Sequence, residues 1–417
     1  MKQAETYWQG MVLVLVLLMT LGVWGVLGWL LSRPQVDRPV LASTQSPQPQ
    51  YTVLPQYTVQ ILEPLDAAVL QRSPTIAVRA ALMKRGFVRA ELHVDGRRAS
   101  VEHNPDPKTT PWIVQWVWEG PEEGSHELVV QAYEADAEVE ISPPVVVSVV
   151  PEGRLAFASN RDGAYVVYTM EADGRDLSRL TGGPGDARQP APRKDGVLAY
   201  VAETEDGRSM IRQLGSEGET DQDLVAGVDP AWALDGNYLA YAATQDGVSQ
   251  VFAAPGGSGA PWQVTAEEGY AGKPTWSPDG TRLAYVAEQE GNWDIWSAPV
   301  DGGEPQRLTD EPGMDWGPAW SPDGSILAFV SDRGGSHQIY VMNSDGTGVR
   351  MLSNLRAGAE APAWSPDGLW LAFVAYTGDG NGINAREIYL MRSDGQNQVR
   401  LTYNSSDDTD VAWSWIP

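Results

Sequence analysis

Four aspartates recur at a fixed interval through the C-terminal half of the chain: Asp235, Asp279, Asp323 and Asp367, each 44 residues after the last. A carboxylate series of this kind could serve a bound cation, because hard divalent ions take oxygen ligands. The neighbouring residues point elsewhere. Three of the aspartates sit in copies of one phrase, Pro274-Thr275-Trp276-Ser277-Pro278-Asp279-Gly280, Pro318-Ala319-Trp320-Ser321-Pro322-Asp323-Gly324 and Pro362-Ala363-Trp364-Ser365-Pro366-Asp367-Gly368. Here Pro presets φ at the first corner of a turn, Asp tolerates the second, and Gly takes the positive-φ position. The aspartates therefore read as turn residues, and the tryptophans as large side chains that fill the space between neighbouring sheets.

Other candidates for chemistry are weaker. Gly256-Gly257-Ser258-Gly259-Ala260 approaches a nucleophile elbow but lacks the final glycine. His337 is the one histidine of the repeat region, so a Ser-His-Asp arrangement has little to draw on. His93, His103 and His126 lie upstream without metal-ligand spacing. The loop Gly378-Asp379-Gly380-Asn381-Gly382-Ile383-Asn384 resembles a calcium loop, yet Ile383 stands where a third ligand would be, and it reads as a Gly-rich hairpin. The chain has no cysteine, which excludes disulfides, thiolate nucleophiles, Cys-ligated metals and a lipid-modified cysteine. The sequence thus predicts no enzyme, no metal and no cofactor. An unrecognised propeller hydrolase is the remaining enzymatic alternative.

The charge is also informative. The formal net charge is −26, and residues 154–417 carry 18 Lys and Arg against 38 Asp and Glu. Phosphate backbones select basic surfaces, so no nucleic-acid partner is expected. The acidity reads first as a solubility device.

Four segments follow from composition and periodicity. From Thr6 to Ser32 there are 27 residues without a charge, enough for a membrane-spanning helix. Tyr7, Trp8, Trp24 and Trp29 lie toward its ends, where amphipathic rings prefer the interface. Residues 1–32 are therefore read as an N-terminal transmembrane signal anchor that meets the membrane through residues 8–31. Residues 33–56, broken by Pro34, Pro39, Pro47, Pro49 and Pro55, form a Pro-rich linker. Residues 57–151 alternate apolar and polar positions, as in Ile76, Val78, Ala80 and Leu82 or Trp112, Val114, Trp116 and Trp118. Short alternating strands separated by turns read as an antiparallel β-sandwich. The run Gly124 to Ala132 resembles a strand of bacterial immunoglobulin-like and fibronectin-III-like domains.

Residues 152–417 are repetitive. Worn copies of the phrase end at Gly196 and Gly236, so its glycines fall at 196, 236, 280, 324 and 368. Each copy leads into Leu-Ala-aromatic, as in Leu283-Ala284-Tyr285 and Leu327-Ala328-Phe329, then a strand such as Ile339-Tyr340 and a short fourth strand such as Arg307-Leu308-Thr309. Four short strands per 40–44 residues is the unit of a β-propeller blade. Residues 154–181 supply three strands without a first, and 410–417 supply a first strand without the rest. Together they complete a sixth blade and close the ring.

The Trp-Ser-Pro-Asp-Gly phrase with its Leu-Ala-Phe/Tyr and Ile-Tyr strands resembles the WD40-like repeats of TolB-type six-bladed propellers. The resemblance implies an extracytoplasmic bacterial propeller working in envelope complexes. The chain departs from TolB itself in carrying an apolar anchor and an immunoglobulin-like module where TolB has an α/β domain. The fold class expected is all-β: a six-bladed propeller and an immunoglobulin-like sandwich behind one transmembrane helix.

Binding is then the expected function. Loops entering each first strand should share a face with loops joining second to third strands. The candidate interaction face holds Arg188, Tyr270, Asp315, Trp316, Glu360, Asp408 and Asp410 from the former, and Trp293 and Arg333, with Arg161, Asp162 and Asn384, from the latter. Exposed aromatics rimmed by charge are common at interfaces. The expected partner is an envelope protein or peptide, and the expected location is the cell membrane, single-pass, with the bulk extracytoplasmic. The alternative is a carbohydrate- or cell-wall-binding surface protein, for which the 17 tryptophans would suit sugar stacking.

Overall fold

In the computed structural model, residues 57–417 are described except 136–138, 184, 216–220, 257–258, 379–383 and 415–417. The expected anchor at 8–31, the linker at 33–56 and the glycine loop at 379–383 lie outside the described residues. Among the described residues no helix is long and apolar enough to cross a membrane.

Alternation builds the first module. Trp112–Glu119 buries Val114, Trp116 and Trp118 while Ile113 and Val117 face outward. It pairs with Thr75–Leu82, which pairs with Val59–Glu63. Ala68–Gln71, Val145–Val150, Gly124–Glu134, Phe87–Val94 and Arg97–His103 form the second sheet, with Val139–Ile141 beside Gly124–Glu134. The two sheets enclose one core of Val78, Leu82, Leu92, Trp116, Leu128, Val130 and Val147. One pair departs from the antiparallel expectation: Ala68–Gln71 runs parallel to Val145–Val150. It can do so because these strands are far apart in sequence, so no hairpin constrains their direction.

The repeats fold into six four-stranded antiparallel sheets. Blade 1 pairs Arg154–Ser159 with Asp408–Ser414 as its inner strand, with Leu155 opposite Trp413. The remaining inner strands are Ala187–Pro192, Val228–Trp232, Ala271–Trp276, Asp315–Trp320 and Ala359–Trp364, in blades 2 to 6. Joining the chain end to the start of the ring removes an exposed sheet edge.

The aromatic of each second strand lies fully inside: Phe157, Tyr200, Tyr241, Tyr285, Phe329 and Phe373. Buried hydroxyls need partners, and Tyr200 and Tyr285 donate to Asp221 at 2.8 Å and Glu267 at 2.9 Å. Three of the phrase tryptophans tie blade to blade: Trp276, Trp364 and Trp413 donate through Nε1 to the carbonyls of Ala231, Ala319 and Ala363 in the preceding blade, while the Nε1 groups of Trp232 and Trp320 have no such partner among the described residues. The recurring aspartates are held inside their turns. Ser277, Ser321 and Ser365 each donate Oγ–H to Asp279, Asp323 and Asp367 at 2.6 Å. Gly280, Gly324 and Gly368 take φ of +69°, +73° and +72°, where a side chain would be strained.

Candidate functional site at the mouth of the central channel

Every inner strand carries the same irregularity at its start. The register slips between Arg188 and Ala191, Val228 and Ala231, Gly272 and Thr275, Trp316 and Ala319, and Glu360 and Ala363. In blade 1 the slip falls between Thr409 and Ala412. Each bulge holds one residue of positive φ: Gln189 (+53°), Asp229 (+55°), Lys273 (+53°), Gly317 (+60°), Ala361 (+52°) and Asp410 (+53°). Bulges re-aim side chains. Here they turn six residues, one per blade, toward a shared cavity of about 370 Å³ on the propeller axis, walled by the residues that follow them, Pro190, Pro230, Pro274, Pro318, Pro362 and Val411.

The mouth has two unlike halves. In blades 2 to 4 the ring residues bond to one another. Gln189 Nε2 donates to Asp229 Oδ1 at 2.6 Å, and the Asp229 amide donates back to Gln189 Oε1 at 2.9 Å. The Lys273 amide donates to Asp229 Oδ2 at 3.2 Å, and its Nζ lies 2.8 Å from Asp229 Oδ1. Tyr270 Oη completes the set at 3.5 Å from Asp229, and burial together with that carboxylate pushes its pKa up to about 12. Burial works against the Lys273 ammonium, yet Asp229 and Asp410 hold its pKa above the ordinary lysine value. Its side chain is 42% exposed and the residue lines the cavity.

In blades 5, 6 and 1 the ring residues are Gly317, Ala361 and Asp410. Two have no polar side chain, so no such chain of bonds can form. Trp316 and Glu360 line this half beside them. Glu360 accepts from Tyr376 Oη at 3.0 Å and lies 3.5 Å from Arg386. Arg386 is held more closely by Asp407, at 3.0 Å, and by Tyr165 Oη at 3.1 Å.

The structure brings Trp316, Glu360 and Asp410 of the expected face together at this cavity. Two others are corrected: Asp315 and Asp408 are 1% and 0% exposed. Each forms an internal ion pair, Asp315 with Arg333 at 2.7 Å and Asp408 with Arg161 at 2.9 Å. An unpaired buried carboxylate is costly, so the arginine of the neighbouring loop is drawn in over it. Arg333 is thereby an internal partner instead of a free cation on the face. Burial pushes the Asp315 pKa up.

Tyr270 and Trp293 pack on each other with centroids 4.8 Å apart, and Trp316 meets His337 edge to face at 4.5 Å. Arg188 pairs with Asp186 at 2.9 Å and lies over the Tyr165 ring. Asp162 accepts from Tyr168 Oη. Asn384 begins the strand Asn384–Arg392, and its side chain lies outside the description.

Sequence reading missed Gln189, Asp229, Lys273 and Arg386. A signal for the first three existed. They directly precede Pro190, Pro230 and Pro274, the prolines that open the repeated phrase, at the position where the repeats diverge. Among the described residues, no group of three or more His, Asp or Glu is arranged to hold a metal ion.

A TolB β-propeller family model matches residues 220–356. No curated protein matches the sequence. Among solved structures, TolB from Acinetobacter baumannii is similar at 18% identity and a TM-score of 0.56, covering 71% of this chain and 81% of that one. A TolB described as putative, from Agrobacterium tumefaciens, is similar at 23% identity and a TM-score of 0.51, over 63% of this chain and 98% of that one. A structure of a nidogen/laminin complex follows at 12% identity and a TM-score of 0.50, over 63% and 98%. Identities this low establish a shared fold.

Proposed function

We propose, from the premise that residues 154–414 form a TolB-like β-propeller, that this protein is a non-catalytic recognition platform that takes a protein or peptide segment at the mouth of its central channel. One observation carries the reading. The blades repeat in their cores and turns but differ at the six bulge residues that converge on a single cavity. A binding site is where polar groups converge on a concave, partly apolar surface.

The rest of the proposal concerns placement. Residues 8–31 would anchor the chain in a membrane, residues 33–56 would space the globular part from it, and the bulk would be extracytoplasmic. The two-sheet module at 57–151 is proposed to be immunoglobulin-like, supported by its sheet-on-sheet core. The partner would then be an envelope protein.

Crosslinking and recovery of the full-length protein from its own membranes tests this. An Ala361→Trp variant serves as the blocked form, because its indole would fill the open half of the cavity. A protein recovered with wild type and lost with the variant, at unchanged melting temperature, is the expected result. Equal recovery by both would remove the channel from the proposal, and turnover of an ester or peptide by the purified protein would remove its non-catalytic character.

A second reading, glycan binding, is favoured by a separate groove of about 540 Å³ on blades 3 and 4, lined by Tyr238, Trp262, Gln263, Pro299 and Asp301. Tyr238 and Trp262 stand edge to face there, 5.7 Å apart. Co-sedimentation with isolated cell wall that is lost in Tyr238→Ala would support that reading instead.

A further inference from the structure

The unlike halves of the channel mouth carry a statement about the partner's chemistry, which rests on the channel being the recognition site. In blades 2 to 4 the hydrogen bonds of Gln189, Asp229 and Lys273 occupy the lumen. In blades 5, 6 and 1, Gly317 and Ala361 leave space, and the lining includes Trp316, Glu360, Asp410 and Arg386.

The charges there do not cancel. Lys273 is matched by Asp229 at 2.8 Å, and Arg386 by Asp407 at 3.0 Å. Glu360 accepts from the neutral Tyr376 hydroxyl at 3.0 Å, and its one cation contact among the described residues is the longer one to Arg386, at 3.5 Å. The Asp410 side chain has no hydrogen bond or ion pair among the described residues. Three carboxylates, Asp229, Glu360 and Asp410, and two cations, Lys273 and Arg386, line the cavity, and Asp407 behind the wall draws on Arg386. The lining is therefore one carboxylate in excess in a confined volume, where low-dielectric walls strengthen its field. Against burial, Asp229 and, to a lesser degree, Asp410 hold the Lys273 pKa above its ordinary value.

We propose that the open half of the mouth, between Trp316, Glu360 and Asp410, is a pocket for a basic side chain of the partner peptide, arginine in first place. A guanidinium is planar and weakly hydrated; it stacks on an indole face and donates to two carboxylates at once. Lysine can satisfy the carboxylates but not the stacking geometry, so it ranks second. The cavity, about 370 Å³, lies near the small end of the usual ~300–1,000 Å³ range for ligand sites. That size suits one long side chain with its flanking backbone.

The test uses the full-length protein in detergent and four fluorescein-labelled peptides, Gly-Ser-Xaa-Ser-Gly with Xaa as Arg, Lys, Glu or Leu, followed by fluorescence polarisation. The Arg peptide is expected to bind best, with Lys next. Asp410→Asn with Glu360→Gln should weaken the Arg peptide about tenfold or more, the scale of lost charge-assisted hydrogen bonds. Trp316→Ala should erase the preference of Arg over Lys. Glu304→Gln with Asp345→Asn neutralises as much charge on exposed turns between third and fourth strands, outside the cavity, and should change affinity less than twofold.

Equal binding of all four peptides, still abolished by Ala361→Trp, would overturn the basic-pocket proposal and leave the channel as the site. Binding that no mouth variant affects would overturn both. An equal loss from the remote charge pair would show a diffuse acidic surface instead of a pocket. Melting curves of each variant separate loss of binding from loss of fold.

Discussion

The two ends of the inner strands teach different things. At the outgoing end the chain repeats itself: Trp, Ser, Pro, Asp and Gly recur, Trp276, Trp364 and Trp413 bond to the preceding blade, and the aspartates are held by their own turns. At the incoming end the backbone repeats, with a bulge and a positive φ in every blade, while the side chains do not. Where geometry recurs with the same residue, that residue builds the blade. Where geometry recurs with different residues, the backbone is a fixed frame on which side chains are free to specify a ligand.

The largest way to break this comparison is to remove an inner strand altogether. Deleting residues 408–417 strips blade 1 of the strand paired to Arg154–Ser159 and leaves the edge of that strand unpaired. The expected loss approaches the whole net stability, about 5–15 kcal/mol for a domain. Thermal unfolding followed by circular dichroism should show a non-cooperative or absent transition, and a wild-type-like melt would mean that the ring does not depend on its closure.

A sharper comparison sets two tryptophans of blades 4 and 5 against each other. Trp276 is buried at the outgoing end and bonded across blades, so Trp276→Ala should cost about 3–5 kcal/mol in urea unfolding. Trp316 is half-buried at the mouth, and Trp316→Ala should cost about 1–2 kcal/mol, in line with partial burial. Similar costs for the two would dissolve the division between a structural end and the proposed recognition end.

The smallest expected effect concerns pH. Donors from Ser277 and Thr281 hold the Asp279 carboxyl below its usual range. A depressed carboxyl contributes stability above its unfolded pKa, about 3.9, and loses it as pH falls through the lower folded value. Wild type should thus melt slightly above Asp279→Asn at neutral pH, and the gap should close below about pH 4. A gap that persists or widens in acid would show that the turn does not rely on the ionised carboxylate.

Much of the fold was legible because it rests on local chemistry. Trp-Ser-Pro-Asp-Gly names a turn and the strand before it, and Leu-Ala-Phe names the strand after it. The fragments at 154–181 and 410–417 could be matched from the sequence because each lacked what the other supplied. The parallel pairing of Ala68–Gln71 with Val145–Val150 was not legible, since no turn residue encodes it. In the candidate site, Trp316, Glu360 and Asp410 were picked out as polar or aromatic residues in loops entering first strands. Asp315 and Asp408 were picked out by the same rule, and the structure buries them. A sequence shows that a carboxylate and an arginine both exist, but not that they meet across a loop.

The sequence by itself determined the period, the turns, the alternation of core strands and the sign of the overall charge, because each depends on residues within a few positions of one another or on simple summation. Only the tertiary structure decided which charges cancel. Lys273 meets Asp229 and Arg386 meets Asp407, while Glu360 and Asp410 are left facing the channel. That outcome depends on how six blades set residues up to 221 positions apart, from Gln189 to Asp410, around one axis.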